Sequence, residues 1–224
     1  MLQPKRVAFL RPIVFVLAAA ASVAALSACA PIILGGAVMG TFAATDRRTV
    51  GNQVEDQNIE LKGMNRLSGR YGDKGHISIN SYNRKVLLTG EVPTEAAKAD
   101  AEEQAKGIEN VRAVVNELQV GLPTSLATRS NDTFITGKVK ASLIDAKDVF
   151  ANSFLINTQR GTVYLMGRVT EREGARGASI AAGVSGVTKV VKVFDYITEA
   201  ELQDITKVSA EQETSAKASA AGAK

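Results

Sequence analysis

The chain has 224 residues, 45% apolar and 22% charged, with one cysteine, one histidine and no tryptophan. That length holds one ordinary domain or two small ones, and the apolar fraction excludes a chain disordered throughout. One cysteine excludes an internal disulfide framework or a Cys-rich zinc site, and one histidine excludes any metal site or relay that needs two imidazoles.

At the N-terminus, Lys5, Arg6 and Arg11 lead into an apolar run from Ile13 to Leu26 that only Ser22 interrupts, followed by Ser27-Ala28-Cys29. A basic start, a short apolar core and small residues before a cut describe a secretory signal over 1–28. An uncleaved anchor with a chance cysteine is the alternative. The chain's sole cysteine, however, stands where a lipoprotein signal requires one, and Leu26-Ser27-Ala28-Cys29 resembles that signal at every position. The resemblance implies diacylglycerol on the Cys29 thiol and cleavage before it. Ala30, in place of Asp, implies export to the outer membrane, with the protein facing the periplasm. Without 1–28 the chain carries 24 basic and 23 acidic residues, so the overall pI near 9.2 comes largely from the signal and a nucleic-acid partner is not expected.

Residues 29–45 read as a lipidated tether, because Pro31, Gly35, Gly36 and Gly40 break the apolar stretch well short of a spanning helix. A tandem repeat follows. His76-Ile77-Ser78-Ile79-Asn80 and Val86-Leu87-Leu88-Thr89-Gly90-Glu91-Val92 recur in the same spacing as Ser153-Phe154-Leu155-Ile156-Asn157 and Val163-Tyr164-Leu165-Met166-Gly167-Arg168-Val169. The reading is α+β, with domains over 46–120 and 130–197, a linker over 121–129 and a disordered tail over 198–224. Each copy runs helix, strand, strand, helix, strand, with a three-stranded sheet packed against two helices.

In the first copy Val50, Val54 and Leu61 predict an opening helix after Asp46. In the second, Ile135, Val139 and Leu143 follow a cap at Asn131 or Asp132. Turns are predicted at Asn83-Arg84 and Arg160-Gly161. Second helices are predicted from Thr94 and from Thr170-Glu171-Arg172-Glu173, which has capping-box spacing. Closing strands are expected over Val111–Val120 and Val187–Ile197. Gly90 and Gly167 lie within strands and suggest a bulge or a close helix approach.

Strands around Val-x-Leu-x-Gly-x-Val, an Ala-rich helix and Gly-Val-x-x-Val together resemble the BON domain, and two such domains behind a lipoprotein signal resemble the dual-BON outer-membrane lipoproteins. The resemblance is carried by residues 45–54, 130–135 and 165–173. It implies binding of an anionic phospholipid membrane through the second domain, support of envelope integrity, and cell-wall remodelling at the division site. Phe134 stands where a tryptophan is expected in enterobacterial relatives.

Charge agrees with that assignment. Residues 46–120 hold 11 basic and 12 acidic groups, whereas 130–197 hold 9 and 6. The candidate lipid-binding segment is therefore Asn131, Asp132, Thr133, Phe134, Ile135 and Lys138, with the Phe134 ring entering the headgroup boundary and Lys138 reaching phosphate. The alternative places Phe134 in the core and Lys138 in solvent. No residue pattern marks an active site or a cofactor: His76 reads as a strand-edge histidine, and acid pairs such as Glu102-Glu103 and Glu171/Glu173 read as helix faces or caps. The competing function is a protein-interaction scaffold for outer-membrane assembly or peptidoglycan-hydrolase regulators.

Overall fold

A computed structural model describes residues 46–72 and 74–222. The signal, Cys29 and the tether lie outside the described residues. The first copy comprises α1 (Val50–Tyr71), β1 (His76–Tyr82), β2 (Lys85–Val92), α2 (Glu95–Lys106), β3 (Ala113–Asn116) and β4 (Gln119–Val120). The second comprises α3 (Leu126–Asp145), a short 3-10 turn (Ala151–Ser153), β5 (Phe154–Gln159), β6 (Thr162–Val169), α4 (Glu171–Ala182) and β7 (Lys189–Tyr196). In each sheet the middle strand pairs antiparallel with the strand before it and parallel with the strand after the crossover helix.

The hairpins have two-residue turns in the left-handed region, with φ of +52° and +63° at Asn83-Arg84 and +50° and +73° at Arg160-Gly161. Arginine does not favour that conformation. A buried aspartate on the preceding helix over-determines it in each copy. Asp56 accepts from Asn83 N–H and Arg84 N–H, both at 2.7 Å, and Asp132 accepts from Arg160 N–H at 2.8 Å and Gly161 N–H at 2.9 Å. Asp132 is thus no helix cap. α3 begins earlier, at a Ser125 cap that accepts from Thr128 N–H, which shortens the expected linker.

The expected apolar stripe on α1 faces solvent: Val50, Val54 and Leu61 are each more than half exposed. Its buried line is Asp56, Ile59, Gly63, Leu67 and Tyr71. Polar Asp56 and side-chain-less Gly63 sit inward, the latter because a Cβ there would lie 2.2 Å from Ile79 Cδ1. The closing strand of the first copy is also interrupted. Leu118 turns into the core between β3 and β4, with its N–H held by Asn116 Oδ1 at 3.2 Å. Gly90 admits the backbone of β1 and Gly167 that of the 3-10 turn before β5, since a Cβ would meet His76 O at 1.9 Å and Ser153 O at 2.2 Å.

The runs Val86-Leu87-Leu88 and Val163-Tyr164-Leu165-Met166 do not alternate with polar residues, because both faces of each middle strand are covered. One face meets its own helices. The other joins the two sheets in a core of its own, built from Tyr82, Leu87, Tyr164, Met166 and Val193. The layers therefore run helices, sheet, sheet, helices.

Polar clusters lie around this seam. Glu91, fully buried, accepts from Arg160 Nε and Gln159 Nε2, each at 2.8 Å, and from the Thr124 backbone and hydroxyl. Burial pushes the Glu91 carboxyl up, but these bonds outweigh it and hold it below its ordinary value. At the other end, Asp195 pairs with Lys85 at 2.6 Å and Arg112 at 2.7 Å, and Arg47 grips Glu173 with two nitrogens at 2.7 and 2.8 Å. Asp195 and Glu173 are likewise raised by burial and lowered further by their partners, to a net value below the ordinary range.

Residues 199–222 form a further helix, α5 (Glu199–Gly222), where a disordered tail is expected. It is opened by a reciprocal cap: Thr198 Oγ1 accepts from Glu201 N–H at 3.1 Å, and Glu201 accepts from Thr198 N–H at 2.8 Å. Alanine, glutamate and lysine then favour the helix.

Candidate lipid-facing surface

At 100° per residue, α3 presents two opposite lines. Asp132, Ile135, Val139 and Leu143 point inward. Leu126, Phe134 and Ile144 point outward, 75%, 66% and 62% exposed, and only the small residues Ser130, Gly137 and Ala141 lie between them. Leu126 and Ile144 stand about 27 Å apart along the helix. Phe134 is therefore not a core residue.

Lys138 is placed beside that line but is not merely solvated. Its ammonium lies 5.1 Å from the Phe134 ring centroid and donates to the Ser185 carbonyl just beyond the end of α4. A helix C-terminal end attracts a cation, so this contact fixes the ammonium next to the ring. Three N–H donors leave capacity for a further acceptor. Lys140 flanks the other side and donates to Ala151 O at 2.8 Å, with burial pushing its pKa down.

Of the six residues expected from sequence, Asn131, Thr133, Phe134 and Lys138 reach this side of the molecule, whereas Asp132 and Ile135 do not. Asp132 is committed to the Arg160-Gly161 turn and Ile135 to the core. Leu126 and Ile144 are additions. Their signal was available: both fall on the Phe134 side of a helix once its start is moved to Ser125.

The remaining chemistry is sparse. Among the described residues no group of three His, Cys, Asp or Glu side chains lies together as a metal site. No described helix is long and apolar enough to cross a membrane. His76 begins β1 and faces the seam between the domains.

Comparison with known proteins places this geometry. The BON domain profile matches residues 55–121 and 131–198. The outer membrane lipoprotein DolP of Haemophilus influenzae is 37% identical over 174 residues, spanning 77% of this chain and 90% of that protein. The 21 kDa hemolysin of Actinobacillus pleuropneumoniae is 33% identical over 154 residues, spanning 68% and 79%. The osmotically-inducible protein Y of Escherichia coli is 32% identical over 145 residues, spanning 63% and 72%. The two matched segments correspond to the two helix-and-sheet units, and the chain belongs to the BON-domain family as a dual-BON protein of the outer-membrane lipoprotein kind.

Proposed function

We propose that the protein is a non-enzymatic, lipid-anchored protein of the outer membrane that binds an anionic phospholipid surface through the outer face of α3. The observation that carries this is Phe134, exposed in line with Leu126 and Ile144 and flanked by Lys138 and Lys140. Burying a phenylalanine side chain is worth about 1.5–3 kcal/mol, and each basic residue near an anionic surface about 1 kcal/mol. Acyl chains on Cys29 would keep the chain at the bilayer, so a modest contact by α3 suffices to orient it. In this reading the contact serves envelope integrity and cell-wall remodelling at division, the role implied by the family resemblance.

The second reading is a scaffold for outer-membrane assembly or peptidoglycan-hydrolase regulators, with lipid contact incidental. It is favoured by the exposed line Val50, Val54, Leu61 and Met64 on α1, which gives the first domain an apolar surface of its own.

Co-sedimentation with vesicles separates the two. The test protein is the chain from Ala30 onward, which lacks acyl chains and retains every described residue. It should pellet with phosphatidylglycerol vesicles and not with phosphatidylcholine vesicles, and Phe134→Ala should weaken the binding about tenfold at low and high salt alike. Undiminished binding by a folded Phe134→Ala protein would move the scaffold reading ahead. The anchor is tested separately: fatty-acid labelling should mark the wild type and miss Cys29→Ala, and equal labelling would contradict acylation at Cys29.

A further inference from the structure

A cleft of about 260 Å³ lies between β1 of the first domain and α3 with β5 of the second. It is smaller than the roughly 300–1,000 Å³ typical of pockets for drug-sized ligands, so it suits a single small group. His76 and Ser78 form one wall, and Arg129, Thr133, Thr136 and Asn157 form much of the other.

Two features of these walls are unusual. The Arg129 guanidinium makes no ion pair or hydrogen bond among the described residues, and its Nε is buried without a partner. His76 Nδ1 is buried without a partner as well. Leaving a buried polar atom unsatisfied costs about 1–3 kcal/mol, and one acceptor in the cleft would serve both Arg129 Nε–H and, in its Nδ1–H tautomer, His76.

The negative groups nearby are already committed. Asp132 lines the cleft, but both its oxygens accept backbone N–H groups from the Arg160-Gly161 turn. Glu91, the cross-strand partner of His76, is saturated by Thr124, Gln159 and Arg160. Hydroxyl donors are available: Ser78 makes no side-chain bond among the described residues, and Thr136 and Thr158 share one bond at 2.7 Å, which leaves one proton over. An arginine with no carboxylate bonded to it favours an anion over a cation, and a tetrahedral oxyanion uses a guanidinium, an imidazole N–H and several hydroxyls together.

We infer that this cleft binds a phosphate group, held by Arg129 and His76 across the boundary between the two domains. Both side chains line the cleft, and the terminal guanidinium nitrogens of Arg129 and the Nε2 of His76 are not among the closed-off atoms. The source is either a free phosphate or the headgroup of an anionic lipid, because Arg129 and Thr133 also border the outer side of α3. The site does not rest on the bilayer reading, since phosphate in the absence of lipid tests it alone.

His76 is the chain's only histidine, so its imidazole NMR signals report the cleft without ambiguity. The protein from Ala30 onward is titrated with inorganic phosphate at an ionic strength held constant with chloride. The expected result is a saturable shift of the His76 signals, weakened about tenfold or more in Arg129→Gln, as loss of a charge-assisted hydrogen bond implies. Without phosphate, the thermal midpoint of Arg129→Gln should be no lower than wild type, because its guanidinium has no partner to lose and its buried Nε is unsatisfied. A His76 shift with phosphatidylglycerol vesicles that Phe134→Ala abolishes assigns the lipid headgroup as the source; a shift with soluble phosphate alone assigns free phosphate. Absence of any shift beyond the chloride control, or an equal shift in Arg129→Gln, overturns the site.

Discussion

The two BON domains share a framework and differ in what their outer helices offer. Each opening helix buries an aspartate against a left-handed turn, and each exposes an apolar line. On α1 that line is Val50, Val54, Leu61 and Met64; on α3 it is Leu126, Phe134 and Ile144. Exposed apolar area therefore does not tell the domains apart. Charge and the aromatic ring do: the first domain is net negative and the second net positive, and of the two opening helices α3 carries the exposed ring with a lysine over it, whereas the first domain's Arg48 stacks on the buried Tyr82. The comparison teaches that an anionic surface would repel one copy and attract the other although their folds are the same.

The largest expected effect probes the shared framework. Asp56 supports two backbone N–H groups, the Ser81 hydroxyl and the partly buried Arg48 guanidinium, whereas Asp132 supports two backbone N–H groups. Asp56→Ala should cost about 3–5 kcal/mol and Asp132→Ala about 2–3 kcal/mol in denaturant unfolding. Equal small losses would mean that the turns hold their positive φ without the aspartates.

A second comparison concerns the seam that makes the copies one body. Glu91, Glu173 and Asp195 all have folded pKa values below their unfolded ones. Their contribution is thus fully present above about pH 4.5, where the unfolded carboxylates are ionised, and is lost as pH falls through the lower folded values. Thermal midpoints should be level down to that pH and fall below it. A midpoint unchanged at pH 3 would contradict these pairings.

The repeat spacing, the two turns and the Thr170–Glu173 cap were legible because each is a local pattern with its own geometry. The inward face of α1 was not, since its buried line includes Asp56 and Gly63 while its exposed line carries Val50, Val54 and Leu61; hydrophobic periodicity there points to the wrong side. The sheet-to-sheet seam was signalled by Val163-Tyr164-Leu165-Met166, a run that lacks the alternation of a half-exposed strand. α5 had a readable cap in Thr198-Glu199-Ala200-Glu201, masked by the low-complexity composition that follows. In the candidate site Phe134 and Lys138 were legible by spacing. The cleft of His76 and Arg129 was not, because it depends on how the domains pack.

The smallest effect is electrostatic. Lys138→Glu should weaken vesicle binding by about 2 kcal/mol at low salt and much less at high salt, where screening removes the Coulomb attraction. A loss independent of salt would point to a structural role through the Ser185 contact.

The most direct measurement uses the absence of tryptophan from the chain. Phe134→Trp and Val54→Trp each place a single reporter on the outer face of one opening helix. With phosphatidylglycerol vesicles, the Trp emission of Phe134→Trp should shift to the blue and be quenched by brominated acyl chains, while that of Val54→Trp stays at its aqueous position. Blue shift and quenching at both positions, or only in Val54→Trp, would contradict the assignment of the lipid surface to the second domain.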